Sequence, residues 1–450
     1  MGVMSPTSAR VGAVTRRGVP VCPSDVRVAD AAAAMTRAHS HTAIVSYPDG
    51  SRGVLTDGDL RRRVVAAGLG SDVPLSAVAS TPAVTVAADL PVRDAAGVAL
   101  SAGVRRLVVL DAGGAVLGVV DDADLMSPAL RPGIAVRAEI ARAADADALI
   151  AACAQLTPIM VSLCDSRVPT SEVMMIRSVV VTAAVRRAAE LLGDDASSWL
   201  VSGSVARRES ALSSDVETAR VAGDGGASGE KVHALLAQCG LIADPNNATA
   251  ASRRFVRTRE EWSTAVDGWA RDPFEDTGLV MLSLALDARP VVPGSWGPAS
   301  AAVSAMTDAP RSRTLLLREA TENRPRVSMR DRMFRRAEVV DVKAGILAPI
   351  VDIARWAGVS AGYVGHSTLA RLAAGADASV LSADDAAVLA ESFEVVQRIR
   401  LRHQCDAVAA GDPVDDLVRP SELTPLDRSL VGTAAREVSG VVRASAYLAG

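Results

Sequence analysis

Aromatic residues make up only 3% of the 450 residues although hydrophobic residues make up 49%, so the core must be built mainly from Ala, Val and Leu. Ala-rich stretches favour helix, and an α-rich protein is expected. No charge of one sign dominates. The 48 basic and 52 acidic side chains leave a net charge of -4 and a pI near 5.8, which supplies no field to draw in a polyanion, so nucleic acid is not an expected partner. The five cysteines, at positions 22, 153, 164, 239 and 405, have neither metal-ligand nor disulfide-framework spacing, which fits reduced, buried thiols. The first ten residues lack the apolar segment of a secretory signal. The longest apolar runs, such as Thr277 to Leu286, fall far short of the ~20 residues needed to cross a bilayer. A cytoplasmic protein without a membrane partner is expected, and its length predicts two or three domains.

What is present centres on Trp199 to Arg220, W-L-V-S-G-S-V-A-R-R-E-S-A-L-S-S-D-V-E-T-A-R. Trp199-Leu200-Val201 predicts a short buried strand. Gly203 and Ser204 then make a turn at which backbone N–H groups can approach an anion, with Arg207 and Arg208 close behind. Asp215 and Glu217, two residues apart, point to one side of an extended backbone. Paired carboxylates beside a phosphate site are suited to Mg²⁺ held jointly by protein and nucleotide.

Residues from about 19 to 128 repeat internally. Val28-Ala29-Asp30-Ala31-Ala32, Thr42-Ala43-Ile44-Val45 and Gly53-Val54-Leu55-Thr56-Asp57-Gly58-Asp59-Leu60 make the first copy. Val92-Arg93-Asp94-Ala95-Ala96, Arg106-Leu107-Val108-Val109-Leu110 and Gly118-Val119-Val120-Asp121-Asp122-Ala123-Asp124-Leu125 make the second. Each reads as helix, strand, turn, strand, helix, with Asp49-Gly50 and Gly113-Gly114 as hairpin turns. His39 and His41 have no third ligand candidate nearby and receive no role.

The repeats resemble a pair of cystathionine-β-synthase-like (CBS) motifs. The resemblance implies clefts for adenosine nucleotides, with a Thr and an Asp at the helix start meeting phosphate and ribose. Thr56 and Asp59 match both positions. In the second copy Asp121 replaces the Thr, and Asp124 is the weaker ribose candidate. One competent cleft is expected, together with a homodimer through the CBS pair.

The stretch around Gly203 resembles the nucleotidyltransferase superfamily. More narrowly, it is similar to bacterial CBS-containing nucleotidyltransferases related to protein-PII uridylyltransferase, whose motif runs roughly G-S-x-G-R-x-E-Q-x-x-x-T-D-x-D. Here Ala206, Ser210, Ser214 and Glu217 stand for the second Gly, the Gln, the Thr and the last Asp. The resemblance continues at Glu261-Trp262, Trp269, Asp272-Pro273 and Asp287-Ala288-Arg289. Asp287 is thereby implied as a third acidic residue and Arg289 as a phosphate contact. His233, beside Val232 on a predicted helix, reads as a surface residue, and the Gly-rich stretch 222–229 as a mobile loop.

The final third resembles the family's C-terminal helical bundle. Lys343 and the pattern Arg400-x-Arg402-x-Gln404, with His403, are candidates to meet nucleotide or acceptor. The reading as a whole is an α/β plus α protein: a flexible N-terminus (1–18), a CBS pair (19–128), a helical connector (129–195), a nucleotidyltransferase-like domain (196–294) and a helical substrate-binding domain (295–450). It implies Mg²⁺-dependent nucleotidyl transfer from a nucleoside triphosphate, controlled by ATP, ADP or AMP at the CBS pair, with a protein acceptor of PII type. Asp215, Glu217 and Asp287 would be catalytic, Asp215 and Glu217 would hold metal, and Gly203, Ser204, Arg207 and Arg208 would hold the nucleotide. The alternative is a noncatalytic adenylate sensor with a degenerate transferase domain.

Overall fold

The computed structural model describes residues 10–125, 130–223, 228–322 and 339–447. Two compact units divide the chain, Met1–Pro128 and Ala129–Gly450.

The first unit holds two copies of one topology. After a short helix α1 (Val11–Val14), the first copy runs β1 (Val21–Pro23), α2 (Val28–Arg37), β2 (Thr42–Ser46), β3 (Arg52–Thr56) and α3 (Asp57–Asp59). The second runs β4 (Thr85–Ala87), α4 (Val92–Ala102), β5 (Arg106–Leu110), β6 (Val116–Asp121) and α5 (Asp122–Leu125). In each, the leading strand pairs parallel with the second, and the second antiparallel with the third. The leading strands β1 and β4 are absent from the sequence reading, because three residues are too few to display an alternation. Ile44, Val108 and Val119 pack together and join the copies, each burial contributing about 1.5–3 kcal/mol. The segment expected to be flexible up to residue 18 is ordered from residue 10. Val11 N–H donates to the Leu90 carbonyl at 2.9 Å, and Arg16 N–H to that of Val119 at 2.8 Å.

The second unit opens with the expected helical segment: α6 (Arg131–Arg142), α7 (Ala146–Cys153), α8 (Leu156–Asp165) and α9 (Thr170–Leu191). One stretch among the described residues, Ala146–Asp165, is long and apolar enough to cross a membrane by length and composition, a correction to the reading that no run approaches that length. It is two helices, α7 and α8, which bury Leu149, Cys153, Leu156, Met160 and Leu163.

A small sheet follows, built from β7 (Trp199–Val201), α10 (Gly203–Arg207), β8 (Thr218–Val221), α11 (Gly229–Gln238), β9 (Val256–Arg257), α12 (Arg259–Arg271), α13 (Gly278–Asp287) and β10 (Arg289–Pro290). Its order is β10-β7-β8-β9. Strands β10 and β8 run antiparallel to β7, and β9 parallel to β8. Asp224, in the loop read as mobile, lies outside the described residues.

The remainder is helical, as its composition predicts: α14 (Ala299–Thr307), α15 (Pro310–Glu322), α16 (Ala348–Ser360), α17 (Thr368–Asp377), α18 (Ala383–Ala410) and α19 (Pro425–Ala446), with β11 (Val340–Asp341) pairing antiparallel to β12 (Leu417–Val418). One apolar core runs from Leu200, Trp262 and Leu286 through Ile350 and Leu389 to Val442. The boundary expected near residue 295 is therefore not a break in packing.

Candidate active site

Strand β7 is fully buried and ends at Ser202, whose N–H donates to the Glu217 carbonyl at 3.0 Å. Gly203 has φ +54°, and a Cβ added there would lie 2.3 Å from Glu217 Oε2. Glycine is required twice over, by backbone conformation and by the carboxylate that occupies the missing side chain's place. This couples the Gly203 turn to the acidic segment that precedes β8.

Gly203, Ser204, Arg207, Glu217, Asp287 and Lys343 are among the residues lining a cleft of about 270 Å³. The Glu217 carboxyl is buried there, and Oε2 has no hydrogen-bond partner. Burial pushes its pKa up to about 7 against the pull of Arg207, and the charges of Asp215, Asp287 and Asp244 push the same way. A cation beside a buried acid in this state would favour its ionised form. Asp215, near enough for its charge to act on Glu217, is not itself among the cleft residues; its Oδ1 lies 3.9 Å from Nζ of Lys343, which is.

The two arginines after Ser204 part company. Arg207 turns inward to Glu209 at 3.0 Å and to Asp287. Arg208 closes α10 in a left-handed conformation, φ +63°, and is not among the cleft residues. Arg289 lies in β10, paired opposite Val201, and likewise does not line the cleft.

Asp287, expected as a third acidic residue with a catalytic role, is 1% exposed and held by three guanidiniums, those of Arg207, Arg355 and Arg371. Burial alone would raise its pKa, but Arg355, Arg371 and Arg207 together outweigh it and hold the carboxylate well below the usual range. Such a group is a poor base, and its oxygens are already occupied. Its geometry is that of a buried counter-ion. Among the described residues no group of three or more His, Cys, Asp or Glu is arranged to hold a metal.

The loop leading to Asp215 is clamped from two sides. Arg177, on α9, donates to Ser210 Oγ and to the Ser214 carbonyl at 3.1 Å. Gln404, on α18, accepts from Leu212 N–H at 2.9 Å and donates to Ser213 Oγ at 2.8 Å. Arg400 pairs with Asp416 at 2.6 Å and donates to Ser213 Oγ at 3.1 Å. Of the basic residues assigned to substrate in the C-terminal bundle, Lys343 and Arg400 line the cleft. Arg402 is exposed, and His403 lies 3.6 Å from Asp415. His233 is a further correction. It is half-buried, its Nε2 lies 2.7 Å from Thr218 Oγ1, and desolvation lowers its pKa to about 4.

Arg177, Arg355, Arg371 and Glu209 were not anticipated at the site. A signal existed for the first: Arg177 is the only charged residue between Val173 and Val185, and a cation inside a buried helix must find partners.

In the CBS unit Thr56 and Asp59 form a reciprocal helix cap. The Thr56 hydroxyl donates to Asp59 Oδ2 at 2.7 Å, and Asp59 N–H returns to Thr56 Oγ1 at 3.2 Å. In the second copy Asp121 and Asp124 both bind Arg16, at 3.1 and 2.8 Å, and Asp121 also binds Arg106 at 2.6 Å. The carboxylate that replaces Thr is thus neutralised within the protein.

Comparison with known proteins parallels this layout. Residues 11–66 and 75–129 match the CBS domain, residues 154–276 the family described as "Putative nucleotidyltransferase DUF294", and residues 311–447 the "Putative nucleotidyltransferase substrate binding domain". Asp287 falls outside both of the latter ranges. A curated relative, an uncharacterized protein of Methanopyrus kandleri, is 32% identical over 122 residues, 26% of this chain and 62% of its own length; the chain thus spans less than two thirds of that relative. Similar solved structures include a CBS domain protein of Pyrobaculum aerophilum complexed with AMP, at 24% identity, 28% of this chain, 98% of that one and TM-score 0.25. Another is a CBS domain protein of Thermoplasma acidophilum of unknown function, at 26% identity, 28% of this chain, 75% of that one and TM-score 0.26. The chain carries a CBS-domain pair, a putative nucleotidyltransferase domain of the DUF294 family and that family's putative substrate-binding domain.

Proposed function

We propose that the protein transfers a nucleotidyl group from a nucleoside triphosphate bound with Mg²⁺ in the Gly203–Glu217 cleft, under control of an adenosine nucleotide at the CBS pair. The observation that carries this reading is the orphaned, buried Glu217 carboxylate oxygen beside Asp215. Two carboxylates are too few for a closed metal cage, but they suit Mg²⁺, which characteristically takes one or two carboxylates and completes its shell with substrate phosphates and water. Asp215 and Glu217 would hold the ion, which when bound would neutralise phosphate charge and favour displacement at the α-phosphorus.

The chain's own residues have definite tasks in this reading. Ser204 and the turn amides bind phosphate oxygens, Lys343 adds a mobile cation at the rim, and Arg207, fixed by Glu209 and Asp287, contributes positive potential from the wall. The acceptor we infer is a protein of PII type, with uridylyl transfer as the reaction. The setting is the cytoplasm, with two chains paired through their CBS units.

A second reading, an adenylate sensor without transferase chemistry, is favoured by one observation: Asp287 is consumed by three arginines and leaves two carboxylates where three were expected. Pyrophosphate release from NTP and Mg²⁺, with cell lysate as acceptor source, separates the two. Wild type should turn over slowly and Glu217→Asp faster. No release by either variant would eliminate the transferase reading.

A further inference from the structure

Four of the five cysteines meet in two pairs. Cys164 Sγ lies 2.9 Å from Cys405 Sγ, and the thiols of Cys153 and Cys239 are close enough to shift one another's pKa. All are free thiols. Cys164 sits at the end of α8 and is half-buried, within reach of a small oxidant. Cys405 is buried behind it on α18, the residue after Gln404.

We propose that Cys164 and Cys405 are a peroxide-sensitive dithiol site, whose oxidation forms a reversible disulfide tying α8 to α18. The helices already pack against one another, so little rearrangement is required. The hydrogen bond from the Cys405 thiol lowers the Cys164 pKa against burial and the charges of Asp165 and Asp406, and raises that of Cys405, which favours the more accessible sulfur as the attacking group. Its thiolate attacks one oxygen of hydrogen peroxide, the O–O bond breaks, and hydroxide leaves to take up a proton as water. Cys164 is then a sulfenic acid. Cys405 sulfur attacks the sulfenic sulfur while giving up its proton, the S–O bond breaks, and a second water leaves. Two thiols and one peroxide thus give one disulfide and two waters, the two electrons coming from the sulfurs. A small-molecule thiol reverses the change by exchange.

The bridge has a specific consequence, which rests on the proposed function. Helix α18 carries Arg400 and Gln404, and α8 leads directly into α9 with Arg177. These three side chains hold the loop that presents Asp215. Oxidation therefore fixes the spacing of the two sides of that clamp.

The test uses the full chain, reduced and then exposed to submillimolar hydrogen peroxide. Free thiols are alkylated under denaturing conditions and the peptides mapped by mass spectrometry without reduction. The expected result is a Cys164–Cys405 linked peptide and the loss of two of the five alkylatable thiols. Dithiothreitol should restore both, and the oxidised protein should melt a few degrees higher because a long loop is closed. Cys153 and Cys239, both buried, should remain alkylatable. Five free thiols, a Cys153–Cys239 link with none at Cys164, or Cys164 oxidised to sulfinic acid without linkage would each overturn the assignment. Cys405→Ser should trap a sulfenic acid on Cys164 that dimedone labels, and if that variant does not fold, the wild-type map decides alone. Mg²⁺-dependent nucleotide binding is measured on the same samples. Its absence in both redox forms counts against the transferase reading and leaves the disulfide standing.

Discussion

Gln404 Oε1 accepts the Leu212 backbone N–H at 2.9 Å, across 192 residues of sequence. The same amide donates to Ser213 Oγ and to Asp416 Oδ1 at 2.7 Å, so one C-terminal side chain shapes the loop that presents Asp215. Replacing Gln404 by Leu strands the half-buried Leu212 N–H, at a cost of about 1 kcal/mol or more. Amide exchange of residues 211–214 should accelerate, and Mg²⁺-dependent nucleotide affinity should fall with it. Unchanged exchange in that segment would remove the positioning role.

Asp287 and Glu217 should respond in opposite ways to loss of charge. Asp287→Asn removes the carboxylate that three guanidiniums share, with only Glu209 left beside Arg207 and Asp352 beside Arg355, and breaking a buried ion pair in this way costs about 3–5 kcal/mol. Glu217→Gln replaces an acid whose ionised form burial disfavours, so stability should hold while Mg²⁺ dependence disappears. Denaturant unfolding of the two variants at pH 8 checks this. Equal destabilisation would contradict the assigned roles.

At the CBS pair, adenylate binding should be weakened far more by Asp59→Ala than by Asp124→Ala. Asp59 shares its cap with Thr56 at the start of a helix, whereas Asp124 is engaged with Arg16. Isothermal titration with ATP, ADP and AMP is the measurement. Equal effects of the two substitutions would mean that the second copy binds as well.

His233 supplies a pH dependence with a definite sign. Its folded pKa is lowered to about 4, from an ordinary value of 6.5, by burial beside Thr218. The unfolded chain therefore takes up the proton first as pH falls. The stabilising contribution is complete above about pH 6.5 and is lost progressively down to about pH 4. His233→Gln should flatten this part of the Tm–pH curve, and a curve of unchanged slope would refute the point.

The layout was readable because each part carries a local pattern. The CBS copies repeat in register, Ala-rich helices follow from composition, and Trp199–Val201 with Gly203 declares a strand and a tight turn. What escaped notice depends on long-range pairing. Asp287 reads as a ligand when only its neighbours in sequence are seen, yet Arg371 reaches it from 84 residues away. Arg400 and Gln404 likewise look like substrate contacts until the loop they hold is brought beside them. The thiol pairs are invisible for the same reason, since Cys164 and Cys405 are 241 residues apart.

The arginine knot at Asp287 bears on how far this protein can be recombined. The carboxylate lies between the two stretches that match separate families, and it draws Arg207 from one side and Arg355 and Arg371 from the other. A chimera that exchanged the C-terminal bundle for a foreign one would carry Asp287 into an interior stripped of two of its cations. The graft would have to bring equivalent arginines at matching places, so these two family segments are transferable only as a joined pair.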